Sequence, residues 1–213
     1  MYFVGIDLSW KKRPMKTAIV ILTDLLKIFS CSLVTDDAEI IEAIKNLPEC
    51  IVAIDAPLVV NNKYGKRKCD ALIHRKYNIP SLPANLSWFN RVFNGARGVK
   101  LLKKLEKMGF KLVDNSKDIH KKSVIEVYPF ASWKLLLNQV PKYKKGKKEE
   151  RKNAIEFMKK RLEDIGIFLP SGINDDILDA AISAYTAYFF YFYPDRCKVV
   201  GNLKDGFIVL PFF

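Results

Sequence analysis

The chain opens on a short apolar run, residues 2–8 (Tyr-Phe-Val-Gly-Ile-Asp-Leu), with the character of a strand. Residues 16–23 and 27–34 are two more such runs, and the break between them contains Asp24, which predicts a β-meander. Thr35-Asp36-Asp37 reads as a helix start. Ile40, Ile41, Ile44 and Leu47 follow at helical spacing, and Pro48 ends the run. Residues 50–55 (Cys-Ile-Val-Ala-Ile-Asp) are apolar enough for a central strand buried on both faces, and Pro57 stops it.

Residues 58–122 break this rhythm. They are basic and loop-rich, with helices expected at 67–76 and 86–108; Leu101, Leu102, Leu105 and Met108 form an apolar stripe that Gly109 closes. Strand character returns at 123–128 (Ser-Val-Ile-Glu-Val-Tyr), and a short helix, 130–138, follows Pro129. A helix is expected from about 147 to 165, with Ile155, Met158 and Leu162 on one face and Gly166 just past its end. The last helix begins at Asn174 and stops before Pro194, and residues 198–210 predict a hairpin around Lys204-Asp205-Gly206.

Charge and cysteine usage narrow the function classes. The 213 residues carry 36 Lys+Arg against 23 Asp+Glu, a net +13, with 49% apolar residues. Such a surface is drawn to polyanions, although a lysine-rich proteome produces the same excess. Cys31, Cys50, Cys69 and Cys197 form no CxxC pair and have no His at zinc-ligand spacing, which argues against a zinc module and a disulfide scaffold and favours a reducing, cytoplasmic setting. The start has no basic n-region and no cleavage site, so no signal peptide is expected. The apolar run from Ala180 to Tyr193 is too short for a bilayer and carries Asp175, Asp176 and Asp179 at its mouth; it reads as a buried helix, and no membrane partner is expected.

The chemical signal is acidic. Asp7 and Asp55 end two apolar strands in near-identical settings, Val-Gly-Ile-Asp-Leu and Val-Ala-Ile-Asp-Ala. Ionised aspartates there are costly unless compensated, and ligand sites of open α/β sheets lie off the carboxyl ends of strands. Either one alone also fits a turn or cap aspartate. In Asn174-Asp175-Asp176-Ile-Leu-Asp179, Asn174 suits an N-cap, and acids in the first turn complement the helix dipole. That accounts for Asp175 and Asp176 better than for Asp179, which stands one turn in, just before Ala180-Ala181. Small residues at 180, 181, 184 and 187 let this helix approach a sheet closely. Together these acids point to a divalent-metal site for Mg²⁺ or Mn²⁺, which take carboxylate oxygen.

The ordered set Gly5-Ile6-Asp7, Ile54-Asp55-Ala56-Pro57-Leu58, Glu126-Val127-Tyr128-Pro129, Asp175-Asp176-x-x-Asp179-Ala180 and Gly206-Phe-Ile-Val-Leu-Pro211 spans nearly the whole chain. It resembles the domain-of-unknown-function 429 family, described as predicted RNase H-like nucleases, and is similar in layout to RuvC and YqgF-type proteins. The resemblance implies one RNase H-like α/β domain over residues 1–213. It would have a five-stranded mixed sheet, the first three strands antiparallel, helices on both faces and an insertion at about 58–122 after strand four. It implies metal positions at Asp7, Asp55, Asp176 and Asp179, with Asp175 an alternative to Asp176. Glu126, at a strand end beside the site, would be a further ligand or a base. Where the family often has His after Glu-Val-Tyr-Pro, this chain has Phe130.

The expected function is a Mg²⁺- or Mn²⁺-dependent nuclease acting on DNA or RNA. One rival is a non-catalytic nucleic-acid-binding or regulatory protein of the same fold. A phosphotransferase is disfavoured, because no glycine-rich phosphate loop follows Asp55. Trp88 and Phe89 with Arg91 and Arg97 read either as a stacking platform or, preferably, as the core stripe of a helix. Seven basic side chains between Lys142 and Lys152 are the expected phosphate-backbone contact. Arg67, Lys68 and Arg75 are candidates to line the site; His74 and His120 read as surface residues. Ser9 and Cys69 lack a base at defined spacing.

Overall fold

The computed structural model describes residues 1–10 and 16–213. Three strands, β1 (Tyr2–Asp7), β2 (Thr17–Thr23) and β3 (Ile28–Val34), form the expected antiparallel meander. Helix α1 (Asp37–Lys45) is capped by Asp36, whose carboxylate accepts from the Glu39 amide. It leads to β4 (Cys50–Ile54), parallel to β1 and buried at every position. Residues 58–122 contribute α2 (Lys68–Tyr77), α3 (Leu86–Phe93), α4 (Arg97–Glu106) and the two-residue strand β5 (Lys111–Leu112). Strand β6 (Lys122–Glu126) runs parallel to both β4 and β5. Helices α5 (Pro129–Leu137), α6 (Lys148–Asp164) and α7 (Asp175–Phe192) and the hairpin β7 (Cys197–Asn202)–β8 (Gly206–Pro211) complete the chain.

The main sheet is mixed and has six strands, in the order β3-β2-β1-β4-β6-β5. The expected five-stranded sheet is therefore one strand short. The addition is β5, which sits inside the basic stretch and is too brief to register as a periodic pattern. The stretch is also more than a cover: Leu101, Leu102 and Leu105 of α4 pack on the sheet with Ile40 and Ile44 of α1. The single helix expected at 86–108 is two, because Asn94 takes a left-handed backbone (φ 59°) and stops α3. Phe89 is buried beside Trp10, Trp88 and Phe93, so that stripe is a core feature.

Strand alternation assigns side chains to faces. Val4, Ile6, Val52, Ile54 and Val124 face α1 and α4, whereas Phe3, Ile51, Ala53 and Ile125 face α7. Asp7 and Asp55 continue the second series. Gly5 also belongs to it, and it fixes the layer spacing: a Cβ there would overlap the carbonyl oxygen of Ala180 and the amide nitrogen of Ala184. Ala180, Ala181, Ala184 and Ala187 are fully buried, so the small-residue face of α7 lies directly on β1, as the sequence predicts. Gly5→Ala should cost about 1–3 kcal/mol, at the upper end because the colliding atoms are backbone. A chemical-denaturation midpoint equal to that of the parent would refute this packing.

Candidate functional site

Each acid is positioned by its element. Asp7 closes β1, and Asp55 follows β4 directly, its amide donating to the Ile6 carbonyl at 2.9 Å. The two aspartates are thus neighbours at the carboxyl ends of adjacent parallel strands. The loop after Asp55 is held by α4: a Cβ on Gly98 would lie 2.6 Å from the Pro57 carbonyl oxygen and 2.8 Å from the Ala56 Cβ. Asn174 caps α7, its Oδ1 accepting from the Ile177 amide at 3.0 Å. Asp179, one turn further, is buried against the sheet.

Asp179 is surrounded by donors. Its Oδ1 accepts from Trp133 Nε1 and from the Tyr143 hydroxyl, both at 2.9 Å, and its Oδ2 meets Lys144 Nζ at 2.5 Å. Burial works against the Lys144 charge, but Asp179, Asp7 and Asp55 outweigh it and hold the ammonium above the usual lysine range. Burial, then the charges of Asp55 and Asp179, push Asp7 well above the normal carboxylate range. Burial likewise raises Asp55 to about 7, with Asp179 and Glu126 adding to it against Lys144. Burial also raises Asp179, against the pull of Lys144 and its hydrogen bonds. Three acids from three elements therefore share the field of Lys144.

The remaining predicted residues separate. Asp176 is half-buried at the start of α7, accepts from Asn174 Nδ2 at 2.9 Å and adds to the field on Asp7. Asp175 faces away to Arg151, 3.6 Å distant. Glu126 pairs in register with Ile54, so alternation turns it off the Asp7–Asp55 face. Its carboxylate accepts from Arg67 at 2.5 and 2.9 Å and from the Leu58 amide at 2.8 Å. Asp70 accepts from the same guanidinium at 2.9 and 3.0 Å, and the Val59 carbonyl accepts from it at 3.2 Å. Burial opposes the Arg67 charge, and Glu126 and Asp70 more than offset it. Glu126 is thus committed to a buried ion network that ties the loop after Asp55 to α2.

Arg67 lines the site as anticipated, but Lys68 pairs with Asp205 at the surface, and Arg75, His74 and His120 are exposed. Burial raises the Cys69 thiol to about 12, in keeping with an unreactive cysteine. Phe130 is half-buried beside Tyr128. The sequence did not single out Trp133, Tyr143, Lys144 or Asp70. Lys144 was one of seven basic residues in its stretch, and only tertiary contact distinguishes it.

A cleft of about 280 Å³ runs over the strand ends. Asp7 and Asp55 stand at its wall, as do Glu126, Arg67 and Asp70. Among the described residues, no three His, Cys, Asp or Glu side chains stand close enough to hold a metal ion as arranged. The available donors are nevertheless all carboxylate oxygens, the chemistry that hard divalent cations take. Lys144 supplies a positive charge among the three acids. The donor set therefore fits Mg²⁺ or Mn²⁺ in kind, with Lys144 as the competing cation.

Fold and site together define an α/β protein whose acidic centre lies off the carboxyl ends of two neighbouring parallel strands, under a helix that supplies a third acid. No curated protein and no solved structure matches the chain. A family model described as "Protein of unknown function (DUF429)" matches residues 5–204, and the chain belongs to that family. Among the described residues, no helix is long and apolar enough to cross a membrane, and the four cysteines are free.

Two predictions follow from the electrostatics. Asp55 binds a proton in the folded chain that the unfolded chain has already released, between about pH 4 and pH 7. Its contribution to stability is complete below about pH 4 and is lost as pH rises through its folded value of about 7. In chelator, urea stability should fall between pH 5 and pH 8, and Asp55→Asn should flatten that slope; an unchanged slope counts against the clustering. Arg67→Met leaves Glu126 and Asp70 buried without their counter-charge and should cost about 3–5 kcal/mol, measured by the urea midpoint.

Proposed function

We propose that this chain is a divalent-metal-dependent nuclease built on an RNase H-like core. The observation that carries the reading is the convergence of Asp7, Asp55 and Asp179, from three separate elements, around the ammonium of Lys144. The strand order β3-β2-β1-β4-β6, antiparallel for the first three and parallel thereafter, supports the RNase H-like assignment. So does the late helix carrying Asp179 over β1.

Bound Mg²⁺ or Mn²⁺ would activate water and stabilise the charge that develops on the phosphodiester. Asp7 and Asp55 would hold the metal from the strand ends, Asp179 from the helix, and Asp176 from the rim. Trp133 and Tyr143 keep the Asp179 carboxylate oriented by donating to it. Glu126 acts as a positioning residue, since it fixes Leu58 and the loop after Asp55 through its bonds to Leu58 and Arg67. The basic segment Lys142–Lys152 supplies charge for the phosphate backbone of DNA or RNA beside this centre.

The second reading is a nucleic-acid-binding protein without turnover, favoured by the way Lys144 already neutralises the centre. The two differ in outcome. Asp7→Asn should lower metal-dependent cleavage of a nucleic-acid panel at least about 100-fold while keeping the parent's fold by circular dichroism; full activity in that variant refutes the nuclease. Lys144→Met should tighten Mn²⁺ binding by calorimetry, because the competing cation is gone. Binding of nucleic acid with no cleavage by the parent in either metal would establish the second reading.

A further inference from the structure

The cleft beside Asp7 and Asp55 has a composition that the metal chemistry does not require. Trp10 and Tyr128 stand in its walls with Leu8, Pro57 and Leu82, so most of the surface it offers is apolar. Trp10 is fixed edge-on against Trp88 and Phe93, with ring centroids 6.0 Å apart in both pairs. Tyr128 is held by its hydroxyl, which donates to the Pro80 carbonyl at 2.7 Å. Leu82 comes from the proline-flanked loop between α2 and α3 and is 54% exposed at the rim. Both rings are thus held by contacts within the protein.

The deeper surface is polar and rigid. Arg67, Asp70 and Glu126 lie there, and the guanidinium is locked between the two carboxylates. Carboxylate oxygens have about four acceptor sites. Asp70 uses two of these on Arg67, which leaves it able to accept from the N–H edge of a flat heterocycle. Ser81, also in the lining, is anchored to the Asp70 carbonyl at 3.0 Å. A planar ring with apolar faces and a polar edge is the ligand such walls and floor would recognise.

What is attached to that ring follows from the neighbours. Asp7 and Asp55 also line the cleft, and the Lys142–Lys152 segment reaches these acids through Lys144. A planar ring linked to phosphate is a nucleotide. The cavity, at about 280 Å³, is at the small end of ligand pockets (about 300–1,000 Å³). That volume suits a single ring system.

We infer that the cleft is a nucleobase pocket and that the substrate is presented as an unpaired nucleotide: single-stranded, at an end, or turned out of a duplex. This rests on the nuclease reading for what happens to the phosphate, but the pocket itself stands on the cleft geometry. The base stacks between the aromatic and aliphatic walls while its phosphate lies toward the two aspartates. Duplex substrate would meet the protein only after a base is unpaired.

The test separates the two ideas. Metal-free protein is titrated with nucleoside 5′-monophosphates and with ribose 5-phosphate, read by calorimetry and tryptophan fluorescence. The nucleotides should bind at least ten-fold tighter than the baseless sugar phosphate. Leu82→Glu, at an exposed rim position, should erase that difference while leaving the thermal midpoint unchanged. Equal binding of the two ligands, or a difference that survives Leu82→Glu, overturns the pocket. In parallel, cleavage with Mn²⁺ is compared on single-stranded and fully paired oligonucleotides, with at least a ten-fold preference expected for the single strand. Cleavage with no such preference overturns the inference and leaves the nuclease standing. Base-dependent binding with no cleavage supports the pocket and removes the nuclease.

Discussion

The contact between Gly5 and the Ala180–Ala184 backbone sets the geometry of this protein. It brings a helix onto the sheet at the distance of backbone against strand, and a single added methyl group would prevent it. Because the approach is so close, Asp179 enters the same electrostatic field as Asp7 and Asp55 instead of standing a side-chain layer away. The acids then raise one another, and Lys144 is drawn in as their counter-charge. The small residues of α7 and the glycine of β1 are therefore structural determinants of the site, although none of them carries chemistry.

A second constraint acts from the other side of the sheet ends. Arg67 between Glu126 and Asp70 is a buried ion network, and such networks stabilise only when every partner is present. Here it binds three pieces of chain: the end of β6, the start of α2 and the loop after Asp55. The consequence is a cleft lined by a bonded ion network, by two aspartates and by apolar side chains. The two constraints divide the labour. Helix packing assembles the acidic centre, and the ion network shapes the space next to it.

Much of this architecture was legible in the chain. The meander, the capped helices, the fully apolar β4 and the terminal hairpin all announce themselves through period, cap and breaker residues. Asp7 and Asp55 stood out because each ends an apolar strand, and Asp179 because it interrupts an apolar helix. Glu126 shows the limit. It also ends an apolar strand, yet it lies on the opposite face to Asp55, since it pairs with Ile54 in the register. Strands buried on both sides are apolar at every position, so their pattern carries no phase and cannot say which way a terminal acid points.

Sequence by itself determined which residues carry charge, where most of the longer strands and helices lie, and the family to which the chain belongs. Tertiary structure alone decided which acids meet. The short β5 formed because β6 offered it an edge to pair with, a non-local effect that a two-residue segment cannot encode. Lys144 was selected from a run of like residues by its reach to Asp179, and Asp70 acquired its role from a guanidinium that Glu126 also holds. Local pattern records burial and periodicity; the partner of a buried charge is set by distance across the fold, and no single stretch of chain contains that distance.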